Sequence, residues 1–380
     1  MFDIVIAGAG ISGAVLAERF AQDSNKKVLL IERRQHIGGN CYDEIDGNGI
    51  LIHKYGPHLF HTDDAEIWAY LSKFTQWQIY RHKVLAMIDG QAVPLPFNFN
   101  TLYKVFPQNL AARLETALLQ NFEYGKKIPI LELKNSPSAD LQFLADFVYE
   151  KIFLHYTEKQ WNLPPNKIDG AVTARVPVSI SRDDSYFADK FQAVPKFGYT
   201  ALIQNLLAHK NIKLMLNTAF NEVAKLRDGK IYLFDSEFTG KIFYTGLLDE
   251  LFNYKFGALE YRSVDMKFET VDAENFQAAA TVNYPNNYNF TRITEFKHIH
   301  PAKSARTTIL KEFPQNYVAG ENEPYYPVFT DAAKTAHAKY FTELKNYPQI
   351  SAVGRLAEYK YFDIDDAVKR ALEVYLGAKN

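Results

Sequence analysis

Gly8-Ala9-Gly10-Ile11-Ser12-Gly13 is the stretch whose surroundings decide the fold of this chain. An apolar run, Ile4-Val5-Ile6-Ala7, leads into it, and a helix-like segment from Ala14 to Gln22 follows. A second apolar run then ends in an acid, Val28-Leu29-Leu30-Ile31-Glu32. Strand, glycine turn, helix, strand and acid in that order are the layout of a dinucleotide site. Gly8 permits the tight turn, Gly10 lets main chain approach a pyrophosphate, and Gly13 lets the helix sit close to the sheet. Helix N–H groups, from Ser12 onward, would face the phosphates, and Glu32 would take the ribose hydroxyls. Beyond Glu32 and Arg33 a second glycine pair, Ile37-Gly38-Gly39-Asn40, predicts another main-chain segment pressed against the same ligand. That pair favours FAD over NAD, with a simple hairpin turn as the plainer alternative.

Bulk properties fit an enzyme of two or three domains. The 380 residues carry 43 basic and 44 acidic side chains, so nothing calls for nucleic acid or an anionic membrane. Cys41 is the only cysteine, which rules out an intrachain disulfide and favours a reducing compartment. It reads as a small buried residue beside the flavin loop. The N-terminal apolar run has no basic lead-in and is broken by glycine, so it reads as a strand and not a signal peptide. No apolar stretch approaches the roughly 20 residues of a membrane span. A cytoplasmic protein without membrane insertion or a metal site is expected.

Texture changes along the chain. Strand and helix alternate to about residue 75, and Thr101 to Trp161 is helical. Leu141, Leu144, Val148 and Ile152 recur at spacings of three and four after possible caps at Ser138 and Asp140, with Tyr156 continuing the stripe. Pro164-Pro165 stops it. From about Ala174 strand signals dominate, such as Thr307, Ile309, Lys311 and Phe313 alternating with their neighbours. Ala352 to Gly377 reads as a short strand, a glycine turn and a helix from about Asp365. A discontinuous cofactor domain with insertions follows from a dinucleotide unit that opens the chain and a strand–turn–helix that closes it.

Aromatics make up 14% of the residues, and several cluster with arginine. Guanidinium forks and phenol donors together suit a diphosphate, and aromatic faces stack on nucleobases. The clusters are 155–161, 260–262, 290–292, 323–327 and 355–363. They predict a nucleotide-diphosphate ligand in addition to the flavin.

Taken with the glycine fingerprint and residues 53–62 (HKYGPHLFHT), the strings TEKQW at 157–161, ALEYRS at 258–263, EPYYP at 323–327 and GRLAEYKY at 354–361 resemble the bacterial UDP-galactopyranose mutases nearly end to end. Arg175-Val176-Pro177-Val178 and Asp184-Ser185-Tyr186-Phe187 add to the match. The resemblance implies an α/β fold: a discontinuous Rossmann-type FAD domain (1–80, 187–250 and 345–380), a helical domain (100–165) and an antiparallel-sheet substrate domain (81–99, 166–186 and 251–344). It implies interconversion of UDP-galactopyranose and UDP-galactofuranose through a covalent adduct at N5 of reduced flavin, without net redox. An external reductant, such as NAD(P)H or a reductase, and a homodimer are implied with it.

By the same resemblance Arg175, on a mobile loop, and Arg292 grip the diphosphate, and His58 lies against the flavin. Tyr186, Tyr326 and Tyr361 bond the phosphates, Tyr156 stacks on uracil, and Trp161, His61 and Arg262 lie near the substrate. Leu59, Arg355 and Asp363 join Glu32, Arg33 and Gly38 to Asn40 around the cofactor. Two departures stand out: Ser179 replaces a second arginine of several family members, and His82 stands where others have a substrate-contacting asparagine. Competing readings are a mutase for a related sugar such as UDP-N-acetylgalactosamine, an FAD-dependent oxidoreductase, and a catalytically silent binder. The oxidoreductase has no need of a diphosphate clamp.

Overall fold

The structure is a computed structural model and describes residues 2–161 and 177–379. Arg175 and the Pro164-Pro165 stop therefore lie outside the described residues.

Four apolar residues with no polar interruption, Ile4–Ala7, are all buried, as expected of a central strand covered on both faces. It pairs in parallel with Val28–Ile31 on one side and with Lys241–Tyr244 on the other. Ile212–Met215 and Ile350–Ala352 complete a five-stranded parallel sheet at the two edges. On one face lie the helices Ile11–Gln22, Tyr199–Leu206 and Ile364–Ala378, sealing a core that includes Leu16, Phe20, Leu30, Phe243 and Val368. The helix Asp331–Leu344 covers the other face with Tyr340 and Leu344. The chain leaves Ile4–Ala7 toward one edge and returns on its opposite side. This reversal makes the carboxyl end of that strand the natural place for a ligand.

The glycine pair is not a hairpin turn. Gly38 and Gly39 adopt φ of 103° and 55° and open a short 3₁₀ turn, Gly39–Cys41, ahead of the hairpin Asp43–Ile45 with Leu51–His53. Cys41 is buried, and burial pushes its thiol up to about 12, so it stays protonated near neutral pH.

The helical region holds the helices Phe99–Val105, Gln108–Asn121, Ile130–Lys134 and Ala139–Val148. Leu141, Leu144, Val148 and Ile152 are buried as the spacing predicts. Ser138 occupies the N-cap but makes no side-chain cap. A π-helical turn, Tyr149–Leu154, then precedes the helix His155–Trp161. The wider turn shifts the phase of the stripe, and Tyr156 faces a cavity and not the core.

The second large sheet has seven strands in the order Tyr326–Pro327, Tyr261–Val271, Thr307–Asn316, Arg292–Glu295, Thr281–Asn283, Val84–Ile88 and Gln91–Leu95. Neighbours are antiparallel except Thr281–Asn283 with Val84–Ile88, which run parallel. The expected alternation at 307–313 is only partly realised. Thr307 to Leu310 are all buried, because both faces of the sheet are covered there. The chain closes as expected, with Gly354 at φ 95° and the helix Ile364–Ala378, whose N-cap residue Asp363 donates its N–H to the Asp366 carboxylate at 3.2 Å. Among the described residues no helix is long and apolar enough to cross a membrane.

Candidate active site

A trench at the carboxyl end of Ile4–Ala7 is walled mainly by main chain. Gly10 is the N-cap of the helix Ile11–Gln22 and supplies no side-chain cap, so the first-turn N–H groups remain available to an anion. The glycines are sterically required. A Cβ at Gly13 would sit 2.0 Å from the Gly8 carbonyl oxygen, and one at Gly39 would sit 2.8 Å from Gly10 Cα. Gly8, Gly10, Ser12, Gly13, Glu32, Arg33, Gly38, Gly39 and Asn40 all line this trench.

Glu32 is buried beside it. Its two carboxylate oxygens accept from the Ala9 and Arg34 N–H groups, both at 2.8 Å, which fixes the carboxylate toward the trench. Arg33 and Arg34 both bond Glu323, tying this wall to the 323–327 segment. Thr218 and Asn217 donate N–H groups to the carbonyls of Glu32 and Arg34, bringing Ala219 and Phe220 onto the rim. Thr245 and Gly246 follow the strand Lys241–Tyr244 and line it too. These last four were missed in the sequence, which carries only a strand followed by a loop there. The donor-rich, glycine-narrowed trench fits a dinucleotide.

A second cavity of about 750 Å³ opens beside the trench, a size that suits a nucleotide sugar. The two meet at Asn40, His58, Arg355, Asp363 and Ile364, which line both. Tyr156, Trp161, Tyr186, Tyr326, Tyr361, Arg292, His61 and His82 all line the larger cavity. They come from the short helix His155–Trp161, the strands Phe60–Thr62, Arg292–Glu295 and Tyr326–Pro327, and loops.

Arg292 begins its strand opposite Glu312, and its Nε donates to Glu312 Oε1 at 2.7 Å. Burial opposes the guanidinium charge, and the Glu312 carboxylate more than offsets it, so the arginine stays charged inside the cavity. Tyr326 and Tyr361 stack at 6.3 Å between ring centroids, with Arg355 Cζ within 5.6 and 5.1 Å of the two rings. Burial raises the Tyr156 phenol, which stays protonated.

His58 sits where the cavities meet. Its Nδ1 lies 2.8 Å from the Gly56 carbonyl, which only accepts, so Nδ1 carries the proton and Nε2 is a bare acceptor. Burial pulls its pKa down to about 4, and the charges of Arg355 and Arg292 act in the same direction. Neutral His82 lies against Tyr186 and Phe187, its pKa lowered to about 3 by burial and by Arg292 and His61. His61 stacks on Phe187 at 3.7 Å.

Two residues are placed differently from their sequence-based roles. Leu59 lines the larger cavity and not the trench. Arg262 lines neither: its Nε donates to the Gln160 carbonyl at 2.9 Å and its Nη1 to Asn316, so it braces the end of the helix His155–Trp161 from behind. Ser179 bonds Ser181 at 3.1 Å and stays out of both cavities. Tyr55, Phe153, Thr157, Gln160 and Asn283 also line the larger cavity. Their identities carry no chemical signature, and only the fold gathers them.

A family model described as UDP-galactopyranose mutase matches residues 151–361, and one described as an NAD(P)-binding Rossmann-like domain matches residues 6–74. The chain is 35% identical to a dTDP-fucopyranose mutase of Escherichia coli over 376 residues, covering 98% of this chain and 97% of that one. It is 34% identical to a UDP-galactopyranose mutase of Mycoplasma pneumoniae over 379 residues, 98% and 94% of the two chains. The solved structure of a reduced UDP-galactopyranose mutase superimposes with a TM-score of 0.75 at 16% identity, covering 100% of this chain and 94% of that one. That likeness establishes a shared fold, and the two longer sequence matches establish kinship. The chain belongs to the UDP-galactopyranose mutase family.

Proposed function

We propose that this protein interconverts UDP-galactopyranose and UDP-galactofuranose with reduced FAD and no net redox change. The observation that carries the reading is the convergence of Arg292, Tyr156, Trp161, Tyr326 and Tyr361 in a cavity that meets a dinucleotide trench at His58. Gly8, Gly10, Ser12, Gly13, Glu32, Arg33, Gly38 to Asn40, Arg355 and Asp363 would hold FAD. Reduced flavin would supply an electron-rich ring nitrogen toward the anomeric carbon of the sugar.

The rest of the task falls to side chains. Expelling a nucleoside diphosphate builds negative charge at its oxygens, and a fixed cation there stabilises the transition state. Arg292 is held charged by Glu312 for that purpose, with Arg175 as its partner from outside the described residues. Tyr186, Tyr326 and Tyr361 donate to the phosphates, Tyr156 stacks on the base, and Trp161 and His61 border the sugar. His58 presents a hydrogen-bond acceptor, never an acid, above about pH 4. His82, neutral and buried, presents an uncharged edge where other family members have an asparagine.

A second reading is dTDP-fucopyranose as the substrate. Val84, Ala86, Leu95, Pro96 and Ile152 give part of the cavity an apolar wall, which suits a thymine methyl or a deoxygenated sugar carbon. Both readings keep the same chemistry. The test is anaerobic incubation of the flavin-loaded enzyme with UDP-galactofuranose or dTDP-fucofuranose, with and without dithionite, and separation of products by chromatography. Faster conversion of the UDP sugar by reduced enzyme is the expected result. A clear preference for the dTDP sugar replaces the substrate, and failure with both rejects the mutase reading.

A further inference from the structure

Thr157, Gln160 and Trp161 of the TEKQW string line the cavity, and Lys159 does not. Its side chain leaves the helix His155–Trp161 toward the loop after Thr281–Asn283. Nζ donates to the carbonyls of Tyr284 at 2.5 Å, Tyr288 at 3.1 Å and Phe290 at 3.1 Å. An ammonium has three donors, so this tripod uses all of them and leaves none for a phosphate. The carbonyls belong to the loop joining Thr281–Asn283 to Arg292–Glu295, whose rings Tyr284, Tyr288 and Phe290 pack on one another at 4.8 to 5.3 Å. The loop runs directly into Arg292. Tyr284 N–H donates to the Thr291 carbonyl and Thr291 N–H to that of Glu312, at 2.8 and 2.9 Å. Arg262 braces the same helix at the Gln160 carbonyl. Burial without a carboxylate among these bonds costs the ammonium, pulling its pKa to about 8.

We propose that Lys159 is a positioning residue for the reaction: its ammonium fixes the 284–290 loop to the helix that carries Tyr156, and so sets the distance between the base-stacking ring and Arg292. This rests on the reading of Arg292 as a diphosphate ligand. A point charge reaching three convergent carbonyls is a task for lysine, since the planar fork of arginine has the wrong shape.

The test is a double-mutant cycle on the flavin-loaded full chain, with UDP as the probe and its dissociation constant as the readout. Lys159→Met is expected to weaken UDP about tenfold in the native background and less than about twofold in Arg292→Ala. Equal losses in both backgrounds, or no loss in either, overturn the proposal alone. Unchanged UDP affinity in Arg292→Ala by itself overturns the reading of Arg292 and the proposal with it. Lys159→Gln runs the same cycle should the methionine variant fail to retain flavin. Lys159→Cys treated with 2-bromoethylamine regains a lysine-like ammonium, and buried Cys41 is shielded from the reagent. Recovery of affinity after this treatment, and not in Lys159→Arg, is the expected pattern. Recovery in neither contradicts the tripod.

Discussion

The trench and the larger cavity lie side by side, yet they are built in opposite ways. Main chain makes the trench: glycines that bring two backbones into contact, helix N–H groups, and one carboxylate held by two amides. Side chains make the cavity, gathered from residues as far apart as His61 and Tyr361. A site built from main chain is rigid and intolerant of added atoms. A site built from side chains can lose one contact at a time.

The sharpest break is expected at the trench. Gly13→Val pushes a branched side chain into the Gly8 carbonyl, where even one carbon would come within 2.0 Å. The helix must shift off the sheet, costing roughly 3 kcal/mol or more and nearly all bound flavin. The ratio of visible to ultraviolet absorbance after gel filtration measures this, and a fully yellow, stable variant would break the comparison.

At the cavity, Arg292→Ala should keep the flavin while lowering kcat by about 10³, the range seen when a charge-stabilising donor is removed. It also leaves Glu312 buried without its partner, so a drop in Tm of several degrees is expected. Near-native turnover would remove Arg292 from the mechanism. A smaller effect is expected at the base. Tyr156→Ala should raise KM about 10- to 100-fold through lost stacking, and Tyr156→Phe should change it by less than about threefold.

This contrast also explains what the sequence made legible. The fingerprint from Ile4 to Glu32 gave the first strand, helix and second strand because the constraint is local: three glycine positions, an apolar run and an acid. Its other three parallel strands, near 212, 241 and 350, are short apolar runs with no such punctuation. For the cavity, the resemblance named Tyr156, Arg292 and Tyr326, whereas local pattern suggested only that aromatics and arginines cluster. Tyr156 looked like a core residue because the π-turn that redirects it leaves no mark in a three-and-four spacing. Arg262 was misjudged as a ligand for a related reason. A buried arginine on a helix-end carbonyl and a phosphate-binding arginine carry the same residue letter.

The histidines give the gentlest test. His53, His58, His82 and His300 are held neutral by burial, with folded pKa values below the usual 6.5 and at about 4, 3 and 4 for the last three. Below pH 6.5 the unfolded chain takes up protons that the folded chain refuses. Stability should therefore fall steadily as pH drops from about 6.5 toward 4, by up to about 1.4 kcal/mol per pH unit for each histidine. Urea midpoints at a series of pH values measure the slope. A flat profile would mean that these side chains are charged or solvated in the folded protein.

In the proposed chemistry one reduced flavin serves many sugar rearrangements without being consumed. The direct measurement is anaerobic: reduce the flavin once, remove the reductant, add excess UDP-galactofuranose, and count UDP-galactopyranose formed per flavin. Many turnovers per flavin are expected, with the reduced spectrum restored at the end. One product or fewer per flavin, with the flavin oxidised in step, would make this an oxidoreductase and contradict it.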